Sequence, residues 1–555
     1  MNKTNSLFSK ISRRIALIAL CILMALPARA QNDFEIAKNV DIFISILREL
    51  NAKYADEITP GDLTRTAIDA MLKSLDPYTV YYTENEIEDV KMMTSGQYGG
   101  IGALIQKYNE TQVAISEIYE NCPAQKAGLL AGDIILKVDG KSVIGKSSSD
   151  VSSVMRGQPG TTVTMEVFRP SKNKNLTIKI IREEVKLPNI PYYGMVDGNI
   201  GYIKLDQFTE KAGTEVKDAF NDLKKQGMTA LVLDLRNNGG GLLQEAVKIM
   251  NIFVEQGVTI VTTKGKLEIQ NNTFKTTTPA LDKNIPVVVL VNENSASASE
   301  IVSGAFQDLD RGVIVGKKTY GKGLVQNIVP LSFNSSMKLT VSKYYIPSGR
   351  CVQKIEYFSK DSATNHNVIP DSLAVAYKTK NGRTVYDKGG VEPDVTTDTS
   401  YASNLLTSLV YHNHIFDFAN QYYADHTAIL PADEFRVTDE IYQEFVKFLS
   451  DKEYSYTTET EEVMKDLKAI ATDEQYFEKI KPLFEQLEQK IKEEKGAELQ
   501  TYQEEISEFL SNEIVVRYYY QKGRIINQLS NDPDLKVAKE ILKDTERYNS
   551  ILRIK

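Results

Sequence analysis

The sequence predicts a multidomain α/β protein: a helical N-terminal region, a β-rich domain, a layered α/β core and a helical C-terminal extension. Three observations carry that expectation. Strand-like runs separated by glycine turns fill residues 96–184; nearly continuous apolar runs alternate with helical patterns over 185–398; and 399–555 is rich in Glu and Lys at helical spacing. The 555 residues suffice for several hydrophobic cores.

Residues 1–30 read as a signal peptide. They hold five positive charges (Lys3, Lys10, Arg13, Arg14, Arg29) and no acid, an apolar run from Ile15 to Leu26, and Ala28-Arg29-Ala30 as a small-x-small cleavage site before Gln31. The run of about twelve residues is short for a bilayer span. An uncleaved anchor is the alternative; a lipoprotein is disfavoured because Leu20, not a small residue, precedes Cys21. The expected location is therefore exported, periplasmic or extracytoplasmic, with membrane contact only through an uncleaved signal segment.

The net charge is −8, and −13 once the first thirty residues are removed, which argues against nucleic acid as a partner. Cleavage leaves Cys122 and Cys351, in different domains, and we expect buried, unbridged thiols. No CxxC, HExxH or acidic metal-loop spacing occurs, and the four histidines (His366, His412, His414, His426) lack a metal-ligand setting. No metal and no cofactor is expected.

Over 31–95 apolar residues recur at helical spacing (Ile36, Val40, Phe43, Leu47, Leu50; then Ala67, Ile68, Met71, Leu72, Leu75), with Thr59-Pro60-Gly61 as the break between two helices. This is a helical cap, with docking or dimerisation as the sharper reading. Residues 96–184 resemble a PDZ domain through Gly100-Ile101-Gly102-Ala103, the block CPAQKAGLLAGDIILKVDG (Cys122 to Gly140) and RGQPGTTV (Arg156 to Val163). Such a glycine-rich loop can aim successive backbone N–H groups at a peptide's C-terminal carboxylate while the next strand pairs with the peptide. Gly100, Ile101, Gly102 and Ala103 are the candidate peptide-binding residues. Arg156 is a further candidate, or an ordinary turn arginine.

In 185–398, GYIKL, ALVLDL, PVVVLV and GVIVG read as strands buried on both faces, with helical patterns between them. Beyond residue 400 a solvated helical appendage is expected, with an oligomerisation or adaptor surface as the alternative. EQLEQKIKEEKGAELQTYQEEISEFL reads as one or two long helices, and no motif in the tail can be mapped.

Three stretches of the core carry chemistry. NENSASASEIV (Asn292 to Val302) leaves a strand and enters a helix, where free N–H groups and the helix dipole favour developing negative charge; serine is also the commonest helix cap. DLRNNGGGLL (Asp234 to Leu243) ends another strand with three glycines that let backbone amides approach a ligand. Two strand ends of one α/β sheet face a common crevice. In GKKTYGKGLVQ (Gly316 to Gln326), Lys322 sits between glycines and can replace histidine as a base if burial lowers its pKa from about 10.4 to near neutrality.

Together these stretches resemble the C-terminal processing (tail-specific) proteases, as do LDPYT (Leu75 to Thr79), YGGIGA (Tyr98 to Ala103) and GGVEPDV (Gly389 to Val395), over about residues 33–398. The resemblance implies a crotonase-like core and an exported serine endopeptidase with a Ser/Lys dyad. The central serine of SASAS, Ser297, takes the nucleophile's place, Lys322 the general base's, and Gln326 that of the residue orienting the lysine. Backbone N–H groups of Ala298 and Gly241 form the implied oxyanion hole, with Gly240 one register away. The implied partners are proteins or peptides with a free C-terminus, recognised by a PDZ domain that commonly gates such sites. The competing reading is a catalytically silent PDZ scaffold, which the intact Ser297, Lys322 and Gln326 set disfavours. A peptide-trimming protease of related core fold is disfavoured by the single PDZ domain placed before the core.

Overall fold

The structure, a computed structural model, describes residues 33–357, 367–368, 371–387, 389–397 and 402–554. The signal segment, His366 and the expected core-to-tail boundary at 398 lie outside these. The chain divides into two compact units, Met1–Tyr81 and Tyr82–Lys555.

In the first unit a helix over 33–53 precedes the helix Pro60–Lys73. Pro60 opens that second helix, where its fixed φ costs nothing, and Asp62 and Lys73 stand at the ends where their charges suit the helix dipole. In LDPYT, Asp76 Oδ1 accepts from the N–H groups of Tyr78 and Thr79, both at 2.8 Å, making a side-chain-capped turn.

The second unit opens with the helix Ile87–Ser95, closed by Gly96 in the left-handed region. The strand Gln97–Gly100 then pairs antiparallel with Glu183–Lys186, so the start and end of the β-rich domain meet. Within it an antiparallel sheet runs in the order Ala103–Lys107, Val113–Ile118, Ile134–Val138, Thr162–Arg169, Lys174–Ile181. Ile115, Ile135, Val151, Val163 and Val167 fill its core. The helix Ser148–Met155 starts with a reciprocal Ser147 and Asp150 cap.

The core sheet is six-stranded: Tyr192–Asp197, Ile200–Lys204, Ala230–Asp234, Val287–Val291, Val313–Gly316 and Val395–Thr396, the first antiparallel and the rest parallel. Alternate residues face opposite layers. Leu231, Leu233, Val287, Val289 and Val291 meet the helices Ala212–Lys225, Leu243–Phe253 and Ala298–Asp308. Val232, Val288, Leu290, Val313 and Val315 point the other way, onto Leu535, Ala538, Ile541, Tyr548 and Leu552. Those five belong to the last helices, Pro533–Lys543 and Thr545–Leu552. The tail expected to be a solvated appendage therefore supplies the sheet's second layer. The physical reason is that strands apolar on both faces need two covers, and the core's own helices provide one.

Other parts of the tail form a separate helical core around Phe418, Tyr442, Phe445, Leu510 and Ile514. The long charged stretch is two helices, Phe477–Thr501 and Gln503–Leu529, meeting at Tyr502. Polar contacts tie this region to the β-rich domain: Tyr108 donates its hydroxyl to Asp417 at 2.9 Å, and Gln106 its amide to Asn413 at 3.1 Å. Cys122 and Cys351 are unbridged but only half-buried, where full burial was expected. Among the described residues no helix is long and apolar enough to cross a membrane.

Ile541 is fully buried against the core sheet, whereas Val463 on the helix Glu459–Asp473 is 59% exposed. Ile541→Ala should lower the unfolding free energy of the whole second unit by about 2–5 kcal/mol. Val463→Ala should change it by less than about 0.5 kcal/mol. Denaturant melts of the two variants check this, and equal effects would contradict the layer assignment.

Candidate active site

Two loops at the C-terminal ends of neighbouring strands build the site, residues 235–242 after Ala230–Asp234 and 292–297 after Val287–Val291. They are stitched together. Asn237 and Asn292 exchange bonds, N–H of Asn237 to Asn292 Oδ1 and Nδ2 of Asn292 to Asn237 Oδ1, both at 2.9 Å. Ser295 donates its hydroxyl to the Leu235 carbonyl and Ser299 to the Asn238 carbonyl, both at 2.8 Å. The Ala296 N–H also donates to the Asn238 carbonyl, at 3.0 Å.

These bonds separate the three serines. Ser295 and Ser299 are fully buried and their hydroxyls are engaged. Ser297 is half-buried, lines a cleft of about 980 Å³, and caps the helix Ala298–Asp308 with φ 57° and ψ −113°. Such a backbone is sparsely populated for a residue with a Cβ, and strain of that kind concentrates at functional sites.

The glycine run packs against this turn. A Cβ on Gly240 would lie 2.7 Å from the Ala296 carbonyl oxygen and 2.8 Å from Ser297 Cβ, and one on Gly241 would run into the Phe208 carbonyl. Gly239 has open space at that position. The N–H of Gly240 donates to Asn238 Oδ1 at 2.9 Å. Gly241 bridges to Phe208 through its neighbours, the Gly240 carbonyl and the Leu242 N–H. Among the described residues no protein acceptor faces the N–H of Gly241 or of Ala298.

Lys322 and Gln326 line the same cleft as Ser297 and Gly239 to Gly241. Both glycines beside Lys322 are sterically required. A Cβ on Gly321 would sit 2.7 Å from Lys354 Cβ, and one on Gly323 would sit 2.8 Å from Cys351 Sγ. Gln326 is the third residue of the first strand of the hairpin Leu324–Pro330 and Ser336–Tyr345, just past a register shift, and donates its amide to the Thr340 hydroxyl at 3.2 Å. Leu243, Phe274, Ile301, Leu324 and Val341 give the cleft an apolar wall. Asp206 also lines it and accepts from Gln521 of the C-terminal helices at 3.0 Å. Burial raises the Asp206 carboxyl despite Lys204 beside it.

One residue escaped the sequence reading. Glu300, fully buried, accepts from the Ser297 N–H at 2.9 Å, the Lys322 N–H at 2.8 Å, and the Gly321 N–H and Thr319 hydroxyl at 2.7 Å. The signal was available: Ser297-Ala-Ser-Glu300 is the S-x-x-E spacing in which the fourth residue reaches back to the helix cap.

Among the described residues no histidine lines the cleft. His412, His414 and His426 sit among the C-terminal helices, His414 Nε2 bonding the Glu453 carbonyl at 2.8 Å. Among the described residues no cluster of His, Cys, Asp and Glu is suited to a metal.

In the β-rich domain, Gly100 to Ala103 form the bend between two strands. Ile101 is buried and its carbonyl accepts from Ala124 at 2.8 Å; a side chain on Gly102 would strike Cys122. Ala103 starts the sheet's edge strand, which leaves one side open beside the helix Ser148–Met155. Arg156 pairs with Asp89 and lies 5.4 Å from the Tyr98 ring centroid, next to the bend but with its charge already met.

Residues 199–361 match the model of peptidase family S41, 115–169 that of a PDZ domain, and 405–542 that of a probable PDZ-protease C-terminal helical domain. The chain is 37% identical over 345 residues to a carboxy-terminal-processing protease of Bartonella bacilliformis, covering 61% of this chain and 79% of the relative. The chain belongs to the carboxy-terminal-processing protease family. It is accordingly a serine-type peptidase carrying a PDZ domain. A probable CtpA-like serine protease of Staphylococcus epidermidis is 38% identical over 336 residues, 59% of this chain and 67% of that one. A solved photosystem II D1 C-terminal processing protease aligns at 27% identity with TM-score 0.36, over 64% of this chain and 92% of its own. The tail, in which the sequence reading mapped no motif, is thus recognised as the helical domain of this protease type.

In this carboxy-terminal-processing protease, Gly240→Ala should slow acylation by a small serine-directed reagent by about 10²-fold, because it displaces the Ser297 turn by a substantial fraction of an ångström. Gly239→Ala should leave the rate within about twofold, since its Cβ meets nothing. Similar rates for the two variants would show that the glycine run does not shape the turn.

Proposed function

We propose that this peptidase acts outside the cytoplasm as an endopeptidase with a Ser297 and Lys322 dyad. One observation carries the reading: of the three serines in the turn, Ser297 alone lines the cleft, together with Lys322 and Gln326. Neutral Lys322 takes the Ser297 hydroxyl proton as Oγ bonds to the scissile carbonyl carbon. It then gives that proton to the leaving amine as the C–N bond breaks, and a water releases the acyl group. Gln326 orients the amine from the start of the hairpin.

The developing oxyanion is held by the N–H groups of Ala298 and Gly241. The Gly240 N–H is already donated to Asn238, which favours Gly241 over its neighbour. Gly100 to Ala103 hold the substrate's terminal carboxylate and the edge strand Ala103–Lys107 pairs with its backbone. The Arg156 charge, met by Asp89, orients the bend through Tyr98. The basic, apolar, small-residue order of the first thirty residues supports export. We assign 31–95 to the N-terminal helical region, 96–184 to PDZ, 185–398 to the protease core and 399–555 to the helical domain.

Ser297→Ala and Lys322→Ala should each abolish cleavage of an unstructured protein with an apolar C-terminus, to below about 10⁻³ of the parent rate. Cleavage retained by either variant refutes the dyad. For the PDZ role, amidating the substrate's C-terminal carboxyl should lower kcat/KM by about 10–100-fold, the value of charge-assisted hydrogen bonds. Acylation by a small reagent should be unaffected, and equal cleavage of free-acid and amidated substrates would refute it.

A further inference from the structure

We propose that Glu300 is the positioning residue of this peptidase: its ionised carboxylate joins the Ser297 turn to the Lys322 loop and sets the path along which the proton moves between them. The inference rests on the dyad reading above.

The geometry is one-sided. All four groups hydrogen-bonded to the carboxylate are donors: the N–H groups of Ser297, Gly321 and Lys322 and the hydroxyl of Thr319. The Thr319 hydroxyl itself accepts from the Val391 N–H at 2.6 Å, so it is oriented to donate to Glu300. A protonated acid or an amide would present a hydrogen where only donors face, and one bond would be lost. The nucleophile's backbone and the base's backbone thus share one anion, Oε2 accepting from both Ser297 and Lys322.

The same carboxylate is a poor stabiliser. Burial, the largest influence, pushes the Glu300 carboxyl up, against the pull of its four hydrogen bonds. A raised carboxyl means that the folded protein binds this proton more tightly than the unfolded chain. Its contribution to stability is greatest at acid pH and is lost as pH rises through the folded value, so at neutral pH the buried charge costs stability. The titratable groups facing it are Tyr344, whose hydroxyl donates to the Ser297 carbonyl at 3.2 Å, Cys351 and Lys322. Burial raises Tyr344 and Cys351, and the charge of Glu300 adds to both. A costly anion placed where it meets both catalytic loops serves alignment.

The test compares Glu300→Gln and Thr319→Val with the parent full-length chain, using acylation by a small serine-directed reagent over pH 5–9. Glu300→Gln should lose about 10²-fold in the maximal rate with the reagent's half-saturating concentration unchanged. The acid limb of its residual activity should move to lower pH, because removing a negative charge from the site makes the Lys322 ammonium easier to deprotonate. Thr319→Val, which deletes one donor and leaves the charge, should lose less and keep the limb in place. Parent-like acylation by folded Glu300→Gln, or a reduced rate with an unmoved limb, overturns the proposal. Should Glu300→Gln not fold, parent-like acylation by Thr319→Val overturns it. Lys322→Ala separates the two readings: acylation surviving there defeats the dyad, whereas a dead Lys322→Ala beside a fully active Glu300→Gln defeats only the positioning role.

Discussion

The site depends on the stitching of two strand-end loops to each other. Parallel strands deliver residues 235–242 and 292–297 to one edge of the sheet, yet loops of this length have many conformations of their own. What selects one is a set of bonds in which side chains satisfy backbone groups across the two segments: the buried bonds of Ser295 to the Leu235 carbonyl and Ser299 to the Asn238 carbonyl, and the exposed bond of Asn292 to the Asn237 N–H. Buried polar groups with partners are inexpensive and without them costly, so the loops hold together or not at all. The left-handed backbone of Ser297 is sustained by this surrounding.

Beneath the loops lies a second constraint. Asp234, at the end of its strand, is fully buried and accepts from Tyr202 at 2.7 Å and from Arg236. Burial alone would raise its carboxyl, but Arg236 and Lys204 outweigh that and hold it well below the usual carboxylate range. Arg236 in turn reaches Asp532 at 2.5 Å and Asp534 at 2.9 Å, on the turn that opens the helix Pro533–Lys543. One arginine therefore fixes the glycine loop to the helices that cover the sheet's far face. Removing one carboxylate would leave the guanidinium partly uncompensated in a buried place, which is where single changes are most damaging.

Much of this was legible in the sequence because local chemistry dictates it. Ser297, Lys322 and the three-glycine run stand at strand ends that periodicity locates, and glycine beside Lys322 is demanded by contacts with Lys354 and Cys351. The β-domain was legible through its alternating strands and through the glycine-rich loop, which bends at Ile101 and Gly102 between the strands Gln97–Gly100 and Ala103–Lys107. The second cover of the sheet was not legible. Leu535, Ile541 and Leu552 show the helical spacing of any amphipathic helix, and nothing local says that their partners are Val232, Val288 and Leu290, more than 240 residues earlier. Glu300 was legible in spacing but not in consequence. Its cap to Ser297 is local, whereas its bonds to Thr319, Gly321 and Lys322 exist only once the next strand has returned beside the helix.

The helix Gln503–Leu529 binds these parts together at its one irregular residue. Tyr520 has φ 57° and ψ −163°, far from helical values, and Gly523 permits the bend because a side chain there would strike Tyr519. Across the bend three neighbours face three regions: Tyr519 donates to the Ile429 carbonyl within the helical domain, Tyr520 meets Gln125 of the β-rich domain, and Gln521 holds Asp206 on the cleft wall. One turn on, Arg524 pairs with Glu117 in the strand Val113–Ile118. At this irregular stretch the β-rich domain, the cleft wall and the helical domain share a single element.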